Sequence, residues 1–371
     1  KDRLVQSMPH VSPTNSHLAH TTLFFDTFVL LPHGQHRAFE PAYAYLFNSY
    51  YNAIGGQYPR PRRGLLSRPS LTEVMAYRRA VDEALGELLT SRALSDAELA
   101  LVELGLQHEQ QHQELMLTDM SHVFGRRPPA PSYLDASSPL CVLPLDPAPL
   151  SFLERPDGII TIGHAEAGFA FDNERPAHRT LLSPHALASR LVTVAEYEAF
   201  IADDGYRRPE LWLSEGWDWL QRERVSTPLY WDEDGVFTLR GKRERHANEP
   251  VTHVSLYEAD AYARWADCRL PTEQVLDLFA AGRSVVGNFA DSGALHPLPA
   301  HGEGLLQIFG DVWAWTQSAY TPYPGYAPPA GAIGEYNGKF MCNQHVLRGG
   351  SCVTPAGHVR ASYRNFFPAH T

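Results

Sequence analysis

The chain has 371 residues, 44% of them apolar, with a formal net charge of −11. That length suits two or three domains. The acidity argues against nucleic acid or an anionic membrane surface as the main partner, and no run approaches the ~18 apolar residues of a membrane span.

Residues 1–11 read as a ragged arm. Ser12-Pro13-Thr14 reads as a helix start, with a capping hydroxyl and Pro at the first helical position. The helix runs to about Leu31 on an apolar stripe of Leu18, Phe24, Phe25, Phe28 and Leu31, and it carries His17 and His20. Residues 33–69 are less regular and hold the cluster Arg60, Arg62, Arg63 and Arg68. A loop that long is usually functional. A second helix starts at Ser70 with Glu73 completing a capping box, and a third starts at Ser95 with Glu98. The third continues toward Gly125 and contains His108-Glu109-Gln110-Gln111-His112. Three long amphipathic helices with short links read as a bundle over 1–125. Prolines crowd 126–157, which predicts a linker. From 158 to 371 the pattern is short strands, turns and two short helices, Val194–Ala202 and Tyr257–Ala266. The four cysteines are scattered, with no C-x-x-C, and Lys1 is followed by no charged-then-apolar leader, so a reducing cytoplasm is expected.

His108 and His112 lie four apart, on one helical face, where two imidazoles can close on one metal ion. The interleaved glutamines suit a wet, polar cavity. His108-Glu109-x-x-His112 also satisfies the zinc-peptidase pattern. That motif needs a third ligand, and the metzincin positions hold Leu115 and Thr118, while the thermolysin position falls among the prolines. His20 is the alternative third ligand. A three-histidine site leaves about half the coordination sphere open, which suits Fe(II), Zn(II) or Cu(II) and oxygen or Lewis-acid chemistry. The arginine cluster is either a solvated loop or a carboxylate-binding group.

The chain resembles the ergothioneine-pathway sulfoxide synthases. In the first half the resemblance rests on His17-Leu18-Ala19-His20-Thr21-Thr22, Phe47-Asn48-Ser49-Tyr50-Tyr51, Arg63-Gly64-Leu65-Leu66-Ser67-Arg68-Pro69 and His108 through Leu115. In the second it rests on Phe171-Asp172-Asn173-Glu174, Arg269-Leu270-Pro271-Thr272-Glu273, Gly310-Asp311-Val312-Trp313, Leu347-Arg348-Gly349-Gly350-Ser351 and Tyr363-Arg364-Asn365-Phe366-Phe367. It implies an N-terminal DinB-like four-helix bundle followed by a C-type-lectin-like (formylglycine-generating-enzyme-like) domain, with the site between them. It also implies Fe(II) on His20, His108 and His112. The implied reaction is O2-dependent coupling of cysteine or γ-glutamylcysteine to C2 of the hercynine imidazole, giving a sulfoxide. Tyr50 and Tyr51 occupy the family's tyrosine pair and are the catalytic candidates. Gln111 matches a contact to the substrate imidazole. Asn365, Phe366 and Phe367 match a pocket for the betaine end, where aromatic faces hold a quaternary ammonium. Trp313 is a further cage candidate, and Arg60 and Arg63 are the candidates for the donor's carboxylate.

Three positions depart from the family pattern. Ala314 stands where Glu is usual, His345 where Met is usual, and Gln274-Val275-Leu276-Asp277 where a Trp-bearing helix is expected. They leave open a selenoneine synthase, which joins a selenosugar to hercynine. The ovothiol-pathway relative, a zinc peptidase and a non-catalytic binding module are weaker readings. A formylglycine-generating enzyme needs a cysteine pair after the Arg-Gly-Gly-Ser turn, and only Cys352 is present.

Overall fold

The computed structural model describes residues 2–33, 36–127, 130–134 and 148–371. It divides into two compact units. The first comprises Lys1–Arg127, Ala167–Phe171 and Ala327–Lys339; the second comprises Pro128–Glu166, Asp172–Tyr326 and Phe340–Thr371.

In the first unit, α1 (Thr14–Phe24) packs against α3 (Leu71–Ser91) and α4 (Asp96–Gly125), and α2 (Tyr43–Leu46) is a single turn. Capping boxes start α3 at Ser70–Glu73 and α4 at Ser95–Glu98, as the sequence predicts. The predicted cap of α1 is different. Pro13 is its N-cap with no side-chain hydrogen bond, and the Ser12 hydroxyl instead accepts from Arg63 Nη1 at 3.0 Å. Beyond Phe24 the helix widens into a π-helix, Phe25–Leu30. The wider turn changes the phase of the apolar stripe, so Leu31 lies exposed while Phe24 and Phe25 are buried. Asp26, in the π segment, is buried and accepts from Tyr77 Oη at 2.8 Å and pairs with His36 Nε2 at 2.7 Å.

The arm expected to be ragged is tied down. Gln6 Nε2 donates to the carbonyls of Val11 and Arg60 (both 2.9 Å), and its Oε1 accepts from the Gly64 amide (2.8 Å). One amide side chain thus satisfies backbone groups on both the arm and the arginine loop.

The second unit holds short elements: β1 (Phe152–Arg155), β2 (Gly158–Ile162), β3 (His178–Leu182), β4 (His185–Ala188), α5 (Val194–Ala202), α6 (Ser214–Glu223), β5 (Trp231–Asp232), β6 (Gly235–Thr238), β7 (Gly241–Arg243), α7 (Leu256–Trp265), α8 (Glu273–Ala280), β8 (Ala314–Ala319), β9 (His345–Arg348) and β10 (Asn365–Phe367). The strands pair antiparallel as β1–β4, β2–β3, β5–β6–β7 and β10–β9–β8. Among the described residues of this unit four α-helices are present where two were expected. The sequence predicts a linker over 126–157, yet Phe152–Arg155 is a strand; 128–129 and 135–147 of that linker lie outside the described residues.

The missing tryptophan does not prevent α8 from forming, because Thr272 caps it by accepting from the Val275 amide. Two buried ion pairs hold that helix. Glu273 accepts from Arg364 Nε at 2.9 Å, and Asp277, one turn on, pairs with Arg348 at 2.6 Å. Removing one partner of such a pair costs ~3–5 kcal/mol, since a buried charge is left behind. Several resemblance motifs are therefore structural: they supply these pairs. The aromatic core of this unit gathers Tyr197, Phe200, Tyr206, Trp212, Leu220 and Tyr257. Among the described residues no helix is long and apolar enough to cross a membrane.

Gly105 sets the approach of α4 to the start of the π segment. A Cβ there would lie 2.5 Å from Phe25 Cε1 and 3.0 Å from Phe24 Cε1. Gly105→Ala gains ~1 kcal/mol of helix propensity but overpacks a filled contact at a cost of ~1–3 kcal/mol. Thermal denaturation should show net destabilisation, and a rise in Tm would contradict this packing.

Candidate metal centre

His20 projects from α1, and His108 and His112 project from α4, one turn apart. Their ring centroids are 4.9 Å (His20–His108), 4.9 Å (His20–His112) and 4.6 Å (His108–His112) apart. One ligand atom from each lies within 4.8 Å of the others. Among the described residues no carboxylate joins the cluster to compensate a positive charge. Burial, followed by the charge of His108, holds His20 well below the usual histidine range. Burial and then His17 push His108 down to about 3, and burial with its histidine neighbours lowers His112. All three imidazoles are thus neutral near pH 7, the state a metal ion needs.

Hydrogen bonds orient the rings. His20 Nδ1 donates to the Phe47 carbonyl at 2.7 Å, so its Nε2 carries the lone pair; that atom is buried and has no hydrogen-bond partner. His108 Nδ1 is likewise buried without a partner, and its Nε2 lies 3.4 Å from Tyr50 Oη. A buried ring nitrogen without a partner costs free energy, and on His20 Nε2, whose lone pair is free, a cation would remove that cost. The arrangement fits a divalent metal held by three neutral nitrogens. On the far side of His112, its Nδ1 lies 2.7 Å from His17 Nδ1, and His17 Nε2 is 2.9 Å from Asp119 Oδ2.

Phenols surround the centre. Tyr50 packs edge-on against His20 at 5.6 Å, and its hydroxyl lies 3.5 Å from that of Tyr51. Burial pushes both phenols above the usual tyrosine range, so both keep their protons. Tyr336, absent from the sequence-based candidates, comes from the segment Ala327–Lys339. Its ring meets His108 at 5.5 Å and Tyr50 at 5.8 Å and stacks on Phe171 at 5.5 Å. Its hydroxyl donates to Gln111 Oε1. The usable signal was an aromatic between glycines in a Gly/Pro-rich stretch, Gly334-Glu335-Tyr336-Asn337-Gly338. The same segment secures the Tyr50 loop. Glu335 accepts from the Asn52 and Ala53 amides at 3.0 and 2.9 Å, and Lys339 donates to the Tyr50 carbonyl.

Arg63 is buried and donates to Ser12 Oγ (3.0 Å) and Ser49 Oγ (2.8 Å). Among the described residues no carboxylate pairs with it. Burial, with Arg60 nearby, pushes its guanidinium down to about 10. Arg60 itself is exposed.

The remaining candidates belong to the second unit. Phe366 stacks on Tyr320 at 4.1 Å and, more loosely, on Phe340 at 6.0 Å. Asn365 Oδ1 accepts from the Phe366 amide at 2.8 Å, and Phe367 pairs with His345 across β10–β9. Trp313 meets Tyr363 edge-on at 5.4 Å. Glu109, the general base that a peptidase would require, instead pairs with Arg78 at 2.7 Å.

Residues 154–297 and 284–371 match the sulfatase-modifying factor enzyme 1-like domain. The hercynine oxygenase of Mycolicibacterium smegmatis is 34% identical, with 71% of this chain and 67% of that protein covered. The hercynine oxygenase of Mycobacterium tuberculosis is 33% identical over 56% of this chain and 55% of that protein. Ergothioneine biosynthesis protein 1 of Schizosaccharomyces pombe is 29% identical over 54% of this chain and 26% of that protein. The chain thus spans about two thirds of the first relative and about half of the second.

His108→Ala should abolish divalent-metal binding, read by Co(II) titration of the metal-free chain. Glu109→Gln should retain it and lose only the ~0–1 kcal/mol of a partly exposed ion pair in thermal unfolding. Loss of metal in Glu109→Gln would contradict the geometry of α4.

Proposed function

This chain belongs to the sulfatase-modifying factor enzyme 1-like family and to the ergothioneine-pathway enzymes within it, and on that premise we propose that it forms a C–S bond on hercynine using iron(II) and O2. In the proposed reaction the hercynine C2–H and a thiol S–H are lost. A carbon–sulfur bond forms, one oxygen atom of O2 enters the product as the sulfoxide, and the other leaves as water. The observation that carries this reading is the triad of neutral imidazoles, His20 and His108 buried with a partnerless ring nitrogen each and His112 half-buried, beside protonated phenols and an amide.

The first half of the chain is read as a DinB-like bundle. His20, His108 and His112 would hold the iron. Iron(II), when bound, supplies O2 activation and a coordination position for the donor's sulfur. Gln111 directs its side-chain amide at the hercynine imidazole, and Tyr336 fixes that amide by donating to its Oε1. Donation to the oxygen leaves the amide N–H free for an imidazole nitrogen. Tyr50 and Tyr51 hold protons beside the triad; a phenol kept neutral by burial can give a proton to reduced oxygen and recover it from the departing C2–H. Arg63 takes the donor's carboxylate, which supplies the counter-charge this buried guanidinium lacks. Asn365, Phe366, Phe367 and Trp313 remain candidates for the betaine end of hercynine, whose methylated nitrogen offers no hydrogen bond. The small molecules involved are hercynine, the donor and O2.

The first test is O2 uptake by the Fe(II)-loaded chain with hercynine and cysteine, γ-glutamylcysteine and a selenosugar in competition, with products identified by mass. A sulfoxide is expected. A product containing only selenium would transfer the reading to selenoneine synthesis. No uptake with any donor, or uptake that survives His108→Ala, would remove the enzyme reading. The second test is Arg63→Met, which should raise the donor's KM about tenfold or more, ~1.4 kcal/mol or above, and leave hercynine binding nearly unchanged. An unchanged donor KM would exclude Arg63 from the donor site.

A further inference from the structure

We infer that His17 and Asp119 are positioning residues for the metal: together they fix the proton of His112 on Nδ1 and turn its Nε2 lone pair to the centre of the triad. The inference rests on the reading that the triad holds a metal, and it concerns residues that do not themselves touch it.

His17 is buried on α1, one turn before His20, and Asp119 lies on α4, two turns after His112. The contact between His17 Nδ1 and His112 Nδ1, at 2.7 Å, needs one hydrogen, and either ring could carry it. Asp119 decides which. A carboxylate oxygen only accepts, so the 2.9 Å contact from His17 Nε2 places a hydrogen on Nε2. With one hydrogen shared between the two rings and His17's own hydrogen on Nε2, His17 Nδ1 is the acceptor. The hydrogen between the rings therefore belongs to His112 Nδ1. Its Nε2 is left with a lone pair, as His20 Nε2 is left by the bond from His20 Nδ1 to the Phe47 carbonyl. The opposite arrangement, with His112 Nδ1 accepting, would place a hydrogen on its Nε2 and remove a ligand.

Asp119 is in turn held by the chain that enters α1. The Ser12 amide donates to the same Oδ2 at 2.9 Å. The sequence Ser12 amide, Asp119, His17, His112 thus runs from the start of one helix to the metal face of the other without a gap longer than a hydrogen bond. Ligating histidines commonly donate their second nitrogen to a fixed acceptor, and losing that acceptor typically lowers metal affinity 10–100-fold.

The test is Co(II) titration of the metal-free chain, followed by ligand-field absorption and by competition with a chelator. The unaltered chain should bind one equivalent. His17→Phe keeps ring volume and removes both nitrogens; it should bind 10–100-fold more weakly, with a shifted absorption band. Asp119→Asn keeps an oxygen acceptor at the same place and should fall between the two. Unaltered affinity and absorption in His17→Phe would overturn the inference and leave the metal reading intact. An unaltered chain that binds no Co(II) would overturn both. A pair that only supports the fold would lower the Tm of the metal-free chain without moving the Co(II) band, and that result also overturns the inference. If His17→Phe does not fold, Asp119→Ala decides: a loss of tenfold or more supports the inference, and unaltered affinity overturns it.

Discussion

Three imidazoles, two of them buried, share one space between two helices, and that space leaves them uncharged. Everything near them is arranged around this condition. Each ring needs somewhere to place one hydrogen and something to take one lone pair. His20 gives its hydrogen to a backbone carbonyl, and His112 sits against a fourth histidine backed by an acid. The close approach at Gly105 lets α4 lie near enough to α1 for rings from both to meet. The buried polar face of α1, with Asn15, Ser16, His17, His20, Thr21 and Thr22, has the same origin. A helix that builds a site from its polar residues cannot also show a clean apolar stripe.

Buried guanidinium groups separate the two units chemically. In the second unit the buried Arg348 and Arg364 each meet a carboxylate, from Asp277 and Glu273 respectively. Both carboxylates lie on α8, so these pairs hold β9 and the chain before β10 to it. In the first unit, among the described residues, Arg63 meets two serine hydroxyls and no carboxylate. The first kind of arginine belongs to the fold. The second leaves a buried charge uncompensated within the described fold.

Much of this was legible in the residues. Helix starts at Ser70, Ser95 and Thr193 were readable because a capping box is a local device, complete within four residues. The triad was readable from one helical repeat and one upstream histidine. The start of α1 was misread because Ser12 has a competing partner in Arg63, far along the chain. The N-terminal arm was misread for a similar reason: nothing local shows that Gln6 bonds to residues 60 and 64. Tyr336 was missed because it meets Gln111 across 225 positions, and neither spacing nor periodicity carries information over that distance. Glu109 shows the reverse error avoided. The five-residue motif named it, but its neighbour Arg78 on α3 claims it.

The segment Ala327–Lys339 also bears on the order in which a ribosome delivers this protein. The three histidines have all been made once the chain reaches residue 112, and the helices that carry them need only local bonds to form. The phenol that bonds to Gln111, and the carboxylate that holds the amides of Asn52 and Ala53, arrive more than two hundred residues later. During synthesis there is an interval in which the histidines can already assemble but the wall beside them has not been made. Domains generally fold as they emerge, amino-terminal first. Here that rule gives a nascent three-histidine cluster whose wall is completed last, by a strip of chain that belongs in sequence to the other half of the molecule.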